Sequence, residues 1–224
     1  MFDNEKAAAA LAAADEIRAG MVIGLGTGST VAALIDILAA RVREGLTVIA
    51  VATSVATEVA ARAAGIPIIG FEDRSSIDLT IDGVDEIDPS LRAIKGAGGA
   101  LLREKIVATA SLRMVAIADS SKFSAAIGSC RVPVEVLPFA REFVLRSIAA
   151  LGAKPELRMA GGQLARSDQG NLLVDCRYPA LHDPAMTARQ LSDIPGVLGH
   201  GLFLAEIDAL YIARGDRVER HERP

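Results

Sequence analysis

The sequence predicts a mixed α/β chain: a parallel sheet covered by helices, with a second, smaller α+β unit. Three observations carry that reading. Short β-branched runs alternate with helical stretches through the first half, the order of βαβ units. Polar, glycine-rich clusters follow those strands at their carboxyl ends, where open α/β sheets bind ligands. Near residue 130 the pattern changes to a proline-punctuated strand and β-α-β-β-α-β spacing. With 224 residues, 51% of them hydrophobic, the chain can bury a sizeable core in one large domain or two unequal ones.

Each element has a local reason. Asn4–Ala19 is alanine-rich and reads as a helix, with Gly20 suited to its C-cap. Met21–Gly24 is a short apolar strand, and Val31, Leu34, Ile35 and Leu38 fall at helical spacing within Ser29–Arg43. Leu46–Ala52 is a β-branched strand, Glu58–Ala64 a helix stopped by Gly65, and Ile66–Ile69 a further strand. Ile77–Ile81 and Arg113–Ala118 repeat the strand pattern around a helix from about Ala100 to Ser111. Beyond the change of pattern, Val132–Pro138 is a strand, Glu142–Leu151 a helix and Glu156–Met159 a strand. Gly161–Asn171 is a hairpin-like connection, followed by strand Leu172–Cys176, helix Pro184–Leu191 and strand Leu202–Leu204. That order is the split-βαβ, ferredoxin-like arrangement. Asp208–Ala213 reads as a strand returning to the first sheet, so the chain divides into 1–130 plus 204–224 and 131–203. The Arg-rich end, residues 214–224, reads as a solvated tail.

Composition excludes several classes. Lys and Arg total 24 against 28 Asp and Glu, a net charge of −4, which argues against broad nucleic-acid binding and gives no pull toward an anionic membrane. The 17 uncharged residues between Arg18 and Asp36 fail as a membrane span on length and on their Gly and Thr content. Aromatic residues are 4% of the chain with no Trp, so stacking platforms are not expected. Cys130 and Cys176 have no CxxC spacing, and His182, His200 and His221 are scattered, so neither a disulfide framework nor a zinc site is legible. The expectation is a soluble, cytoplasmic protein.

The chemistry lies at the strand ends. Gly24-Leu25-Gly26-Thr27-Gly28-Ser29-Thr30 opens a helix, so amide N–H groups and hydroxyls can meet an anion there. It is a poor dinucleotide fingerprint, because Ser29 occupies the sixth position, and no Lys follows to make a Walker loop. Thr53-Ser54 follows the second strand. Asp82-Gly83-Val84-Asp85-Glu86-Ile87-Asp88 crowds four carboxylates together, which implies neighbouring cations, a metal such as Mg²⁺, or a raised pKa. Of these, Asp82 sits at the strand end, while Glu86 and Asp88 are expected to face solvent. Lys95 precedes the loop Gly96-Ala97-Gly98-Gly99, which opens a helix with Glu104 about one turn in. Arg103 and Lys105 beside it read as surface charge, and Lys122 ends the cluster after strand Arg113–Ala118. A carboxylate base beside a cationic electrophile suits proton abstraction α to a carbonyl, with the anion loop holding a remote phosphate.

The stretches GLGTGST (24–30), TS (53–54), IDGVDEID (81–88), KGAGGALLREK (95–105) and ADSSK (118–122) resemble the type A ribose-5-phosphate isomerases. PVEVLP (133–138) and NLLVD (171–175) extend the likeness over nearly the whole chain. The resemblance implies a Rossmann-like domain with a smaller ferredoxin-like α+β domain, in homodimers or homotetramers. It implies interconversion of ribose 5-phosphate and ribulose 5-phosphate with no metal or organic cofactor, a sugar phosphate as partner, and neither nucleic acid nor membrane. By position it makes Glu104 the base between C1 and C2, and Asp82, Asp85 and Lys95 the groups that open the ring and steady the ene-diolate. Thr27, Gly28, Ser29, Thr30, Gly83, Val84, Gly96, Ala97, Gly98 and Lys122 become substrate contacts. Which lysine faces phosphate and which the oxyanion stays open. The alternatives are a sugar-phosphate-sensing regulator, or an amino-sugar phosphate deaminase or CoA transferase of related fold. No segment for a DNA-binding helix-turn-helix precedes the first strand, which counts against the sensor.

Overall fold

A computed structural model describes residues 2–223. The chain begins with α1 (Phe2–Ala14), β1 (Val22–Leu25), α2 (Ser29–Arg43), β2 (Ile49–Ala52) and α3 (Val55–Ala63). It continues through β3 (Leu79–Gly83), two short strands β4 (Glu86–Ile87) and β5 (Ala93–Ile94), α4 (Leu101–Thr109) and β6 (Met114–Asp119). Next come β7 (Val132–Val136), α5 (Arg141–Ala150), β8 (Lys154–Leu157), β9 (Met159–Ala160), β10 (Gln163–Leu164), β11 (Leu172–Arg177) and α6 (Pro184–Ser192). The chain closes with β12 (Val197–His200), β13 (Leu202–Phe203), β14 (Ala209–Arg214) and β15 (Arg217–Glu222).

The central sheet runs β2-β1-β3-β6-β14-β15, with parallel pairing throughout except for the antiparallel edge strand β15. Helix α1 packs on α2 and on this sheet through Ala9, Ala10, Ala13 and Ala14, all fully buried. Those positions repeat on one helical face, and methyl side chains let the backbones approach closely. Helix α4 presents Val107 to Val51 and Ile77 in a separate apolar cluster. A four-stranded antiparallel sheet, β12-β7-β11-β8, has its own core with α5 and α6, built on Val134, Val174, Val144, Ile148 and Leu191. Between the two lies a three-stranded sheet, β13-β5-β4, that holds the segment from Asp85 to Lys95 in place.

Several sequence expectations are corrected. The charged end is not a solvated tail: Gly215-Asp216 turns the chain so that β15 pairs with β14 along its whole length. Its exposed, charged side chains are those of a protected sheet edge. Leu202–Leu204 is not the last strand of the small sheet; that place belongs to β12, and β13 leaves to pair with β5. Gly201 makes the switch, because a Cβ there would stand 2.0 Å from the Lys95 carbonyl oxygen. The first helix stops at Ala14 rather than Ala19, where Arg41 of α2 takes the Ala14 carbonyl at 2.6 Å. Ile66–Ile69 makes a single bridge, Ala50 to Ile68, and no strand.

Glu86 and Asp88 do not face solvent; both are buried anchors. Glu86 accepts from the Ser124 and Ser129 hydroxyls and from the Gly128 and Cys130 amides, and Asp88 ties Ser90 and Arg92. Lys105 is not plain surface charge either. Its ammonium lies 4.2 Å from the Phe203 ring centre, bonded to Glu206 and the Leu202 carbonyl.

Candidate active site

The carboxyl ends of β1, β3 and β6, with the loop after β5, enclose a cleft of about 340 Å³. Thr27, Gly28, Ser29 and Thr30 line it from the start of α2. The first amides of a helix have no acceptor within it, so this end presents free N–H groups and a positive dipole. The turn is braced from behind: the Thr27 hydroxyl meets that of Thr53 at 2.9 Å, and Thr57 donates to the Gly26 carbonyl at 2.7 Å. Ser54 caps α3 by accepting from the Thr57 amide. Thr53-Ser54 thus supports the anion loop rather than lining the cleft.

Gly83 at the end of β3 and Val84 and Asp85 after it enter the cleft, and Lys95, Gly96, Ala97 and Gly98 follow β5. Glu104 reaches it from the first turn of α4, and Lys122 from the turn after β6. Asp82 differs from these. It is fully buried behind the cleft surface, where Oδ1 accepts from the amides of Thr27 (3.0 Å) and Gly83 (2.7 Å). Gly26 is required by this packing, since a Cβ there would come within 1.9 Å of Asp82 Oδ1.

The deep end is built around one cation. Lys95 Nζ stands 2.9 Å from Asp82 Oδ2 and 3.5 Å from Glu104 Oε2, donates to the Gly83 carbonyl, and lies 5.5 Å from the Phe203 ring centre. Lys95 and Glu104 are almost fully buried, at 2% and 4% exposure. Glu104 Oε2 has no hydrogen-bond partner among the described residues. Asp85 accepts from the Ala97 amide at 2.8 Å.

Three carboxylates and one ammonium leave an excess of negative charge in a desolvated place. Burial is the largest influence on Glu104, with Asp82 and Asp85 adding to it against the pull of Lys95, and its pKa is raised to about 8. Burial also pushes Asp82 up, against Lys95 and the two amides it accepts from. Burial pulls the Lys95 ammonium down, but Asp82 and Glu104 together outweigh it and hold its pKa above the ordinary lysine value. The site therefore holds a permanent cation beside a carboxyl that can gain or lose a proton near neutral pH.

Sequence reasoning missed Phe2, Lys6, Asp119 and Ser121, which also line the cleft. Asp119 and Ser121 belong to the cluster already marked after strand Arg113–Ala118, so position alone could have found them. Lys6 gave no such signal within an alanine-rich helix. Its placement depends on Glu5, which accepts from the Ser120 amide and hydroxyl and from the Gly215 amide, locking α1 over the turn that carries Lys122.

Fold and site together define an α/β protein with an amide-rich anion loop at one end of a cleft and a buried acid–base pair at the other. Residues 49–217 match the family model described as ribose 5-phosphate isomerase A (phosphoriboisomerase A). Ribose-5-phosphate isomerase A of Sphingopyxis alaskensis is 52% identical over 222 residues, 99% of this chain and 97% of that protein. The Methanosarcina acetivorans protein of the same name is 48% identical over 216 residues, 95% of this chain and 91% of the relative. Among solved structures, a D-ribose-5-phosphate isomerase in complex with phospho-erythronic acid superposes with a TM-score of 0.96 at 33% identity, covering 100% of both chains. The enzyme from Neisseria gonorrhoeae gives a TM-score of 0.93 at 33% identity, over 100% of this chain and 98% of the other. The chain belongs to the ribose 5-phosphate isomerase A family.

Proposed function

We propose that this isomerase interconverts ribose 5-phosphate and ribulose 5-phosphate, with Glu104 as the base that carries a proton between C2 and C1. The observation that carries the assignment of the base is the buried Glu104 carboxylate in the cleft lining, whose Oε2 accepts no hydrogen bond among the described residues and is ion-paired to the Lys95 ammonium at 3.5 Å. A carboxylate at that point has the proton affinity to abstract from carbon α to a carbonyl, and the lysine stabilises the oxyanion that forms.

The steps balance without a co-reactant. Asp85 takes the proton of the anomeric hydroxyl and passes it to the ring oxygen, with Lys95 remaining charged beside it, which opens the furanose to the aldehyde. Glu104 then removes the C2 proton, and the electron pair moves to O1, where Lys95 holds the ene-diolate. The O2 proton passes to O1, and Glu104 returns its proton to C1 to give the ketose. Asp82 acts from behind, keeping Lys95 charged and the Thr27 amide aimed. The phosphate is held by the amides and hydroxyls of Ser29 and Thr30 at the start of α2, with Lys6 and Lys122 supplying charge. Binding energy taken there positions the reacting carbons at the far end of the cleft.

The test is a ribulose 5-phosphate assay with ribose 5-phosphate as substrate, run in parallel with ribose, glucosamine 6-phosphate and acyl-CoA. Ketopentose phosphate forms only from ribose 5-phosphate, and the rate survives EDTA. Turnover of glucosamine 6-phosphate in its place points to the deaminase alternative and overturns the reading.

The same proposal assigns residues 1–130 with 204–224 to the catalytic domain and 131–203 to a small ferredoxin-like domain. The separate apolar core of the four-stranded sheet supports that division. It also has the chain working in the cytoplasm as a homodimer or homotetramer, which sedimentation of the purified protein resolves.

A further inference from the structure

The small sheet packs Pro133 and Leu173 against the loop that borders the cleft, and holds that loop by one charged side chain. Arg158, between β8 and β9, makes a two-pronged pair with Asp175 of β11, Nε to Oδ2 at 2.9 Å and Nη2 to Oδ1 at 2.5 Å. Its remaining nitrogen, Nη1, donates to the carbonyls of Gly96 at 3.1 Å and Ala97 at 2.9 Å. Both side chains are mostly buried, at 17% and 14% exposure. Neither lines the catalytic cleft.

A trans peptide points its C=O and N–H in opposite directions. Fixing the Gly96 carbonyl therefore aims the Ala97 N–H the other way, and that amide is the one bonded to Asp85 at 2.8 Å. Fixing the Ala97 carbonyl turns the Gly98 N–H away from Arg158, on the side where Gly98 lines the cleft. Glycines on either side of Ala97 leave the backbone free to turn, and the loop's own hydrogen bond, from the Gly99 N–H to the Gly96 carbonyl at 3.0 Å, leaves the Ala97 carbonyl to Arg158. A guanidinium suits the task, because its planar fork can hold a carboxylate and two carbonyls at once in fixed directions.

We propose that Arg158, locked by Asp175, is a positioning residue that sets the orientation of the 96–98 amides and through them of Asp85. The small sheet thereby contributes to catalysis without touching substrate. The proposal rests on the isomerase reading above, but it predicts a distinct pattern. Loop orientation affects the reacting end of the cleft and not the phosphate end, which is built on α2, α1 and the turn after β6.

The test compares wild type with Arg158→Ala, Arg158→Lys and Asp175→Asn. The readouts are kcat and KM for ribose 5-phosphate, the dissociation constant for inorganic phosphate, and Tm. Arg158→Ala is expected to lose about 10²-fold in kcat, the scale on which small misplacements act. Its affinity for inorganic phosphate stays within about twofold of wild type, since no phosphate contact is disturbed. Added guanidinium ion, at concentrations that do not unfold the protein, restores part of the Arg158→Ala rate and none of that of Glu104→Gln. Arg158→Lys, with a point charge and no fork, recovers little, and Asp175→Asn falls between wild type and Arg158→Ala.

A folded Arg158→Ala with wild-type kcat overturns the proposal. So does a parallel loss of kcat and phosphate affinity that guanidinium does not rescue, which marks a merely structural residue. If Arg158→Ala does not fold, the ordering of Arg158→Lys and Asp175→Asn decides, and wild-type kcat in both overturns it. Failure of wild type itself to isomerise ribose 5-phosphate would instead remove the reading on which the proposal stands.

Discussion

The two ends of the cleft solve opposite problems. At the deep end, Asp82, Lys95 and Glu104 are almost wholly removed from water, and all three have shifted pKa values. At the outer end, Ser29, Thr30, Lys6 and Lys122 remain partly exposed, on a helix start, an N-terminal helix and a short turn. Low dielectric strengthens every electrostatic effect on reacting atoms, so proton chemistry gains from burial. A dianionic phosphate needs many donors and an easy exchange with water, so its anchor gains from exposure. Under the proposed function this division lets a chain of net charge −4 take an anion: the positive groups are few but concentrated at one place.

The comparison can be broken at either end. Glu104→Gln removes the proposed base while keeping the shape, and kcat is expected to fall by about 10³-fold or more, within the range for general acid–base groups. Its affinity for inorganic phosphate stays near wild type, which equilibrium binding checks. Asp82→Asn leaves Lys95 without its closest counter-charge, and kcat/KM is expected to fall by about 10²-fold. Because Asn keeps an Oδ1 that accepts from the Thr27 and Gly83 amides, this loss falls on kcat with KM little changed. Lys122→Ala and Lys6→Ala act on the proposed phosphate anchor only, each expected to raise KM by roughly tenfold with little change in kcat. Steady-state kinetics separates these patterns.

The smallest effect concerns stability. In the folded protein Glu104 keeps its proton from its ordinary value of 4.5 up to about 8. The folded state then binds more protons than the unfolded state across that window, so this group's contribution to stability falls as pH rises through it. Glu104→Gln removes the dependence, and its Tm relative to wild type should increase between pH 5 and pH 9. Each kcal/mol gained corresponds to about 2–4 °C in a chain of this size. A difference in Tm that does not change with pH would contradict the buried-acid account.

The fold was legible where local chemistry and tertiary packing agree. The strand–helix alternation in the first half gives β1, α2, β2, α3, β3, α4 and β6 in order, because each apolar run ends in a glycine or polar turn. It failed where a contact distant in sequence decides. Gly201 looks like an ordinary turn residue, yet the Lys95 carbonyl behind it diverts β13 into another sheet. The mixed charges of 217–222 read as a tail because β-pairing to β14 leaves no hydrophobic trace on an exposed edge.

At the site, glycine loops and carboxylates at strand ends marked the cleft. Spacing did not reveal that Asp82 lies behind it, nor that Glu86 and Asp88 serve as anchors for neighbouring loops. A carboxylate that ties down amides and one that faces substrate have the same sequence signature. Only the number of donors packed around each tells them apart.

The central claim is that burial beside Asp82, Asp85 and Lys95 poises Glu104 as a base near neutral pH. Carbon-13 NMR titration of protein labelled at its glutamate carboxyls, with Glu104→Gln used to assign the resonance, measures this directly. The Glu104 carboxyl should titrate near pH 8, coinciding with the rise of kcat/KM as pH increases. Titration near the ordinary value of 4.5, with no matching limb in the rate profile, would contradict the account.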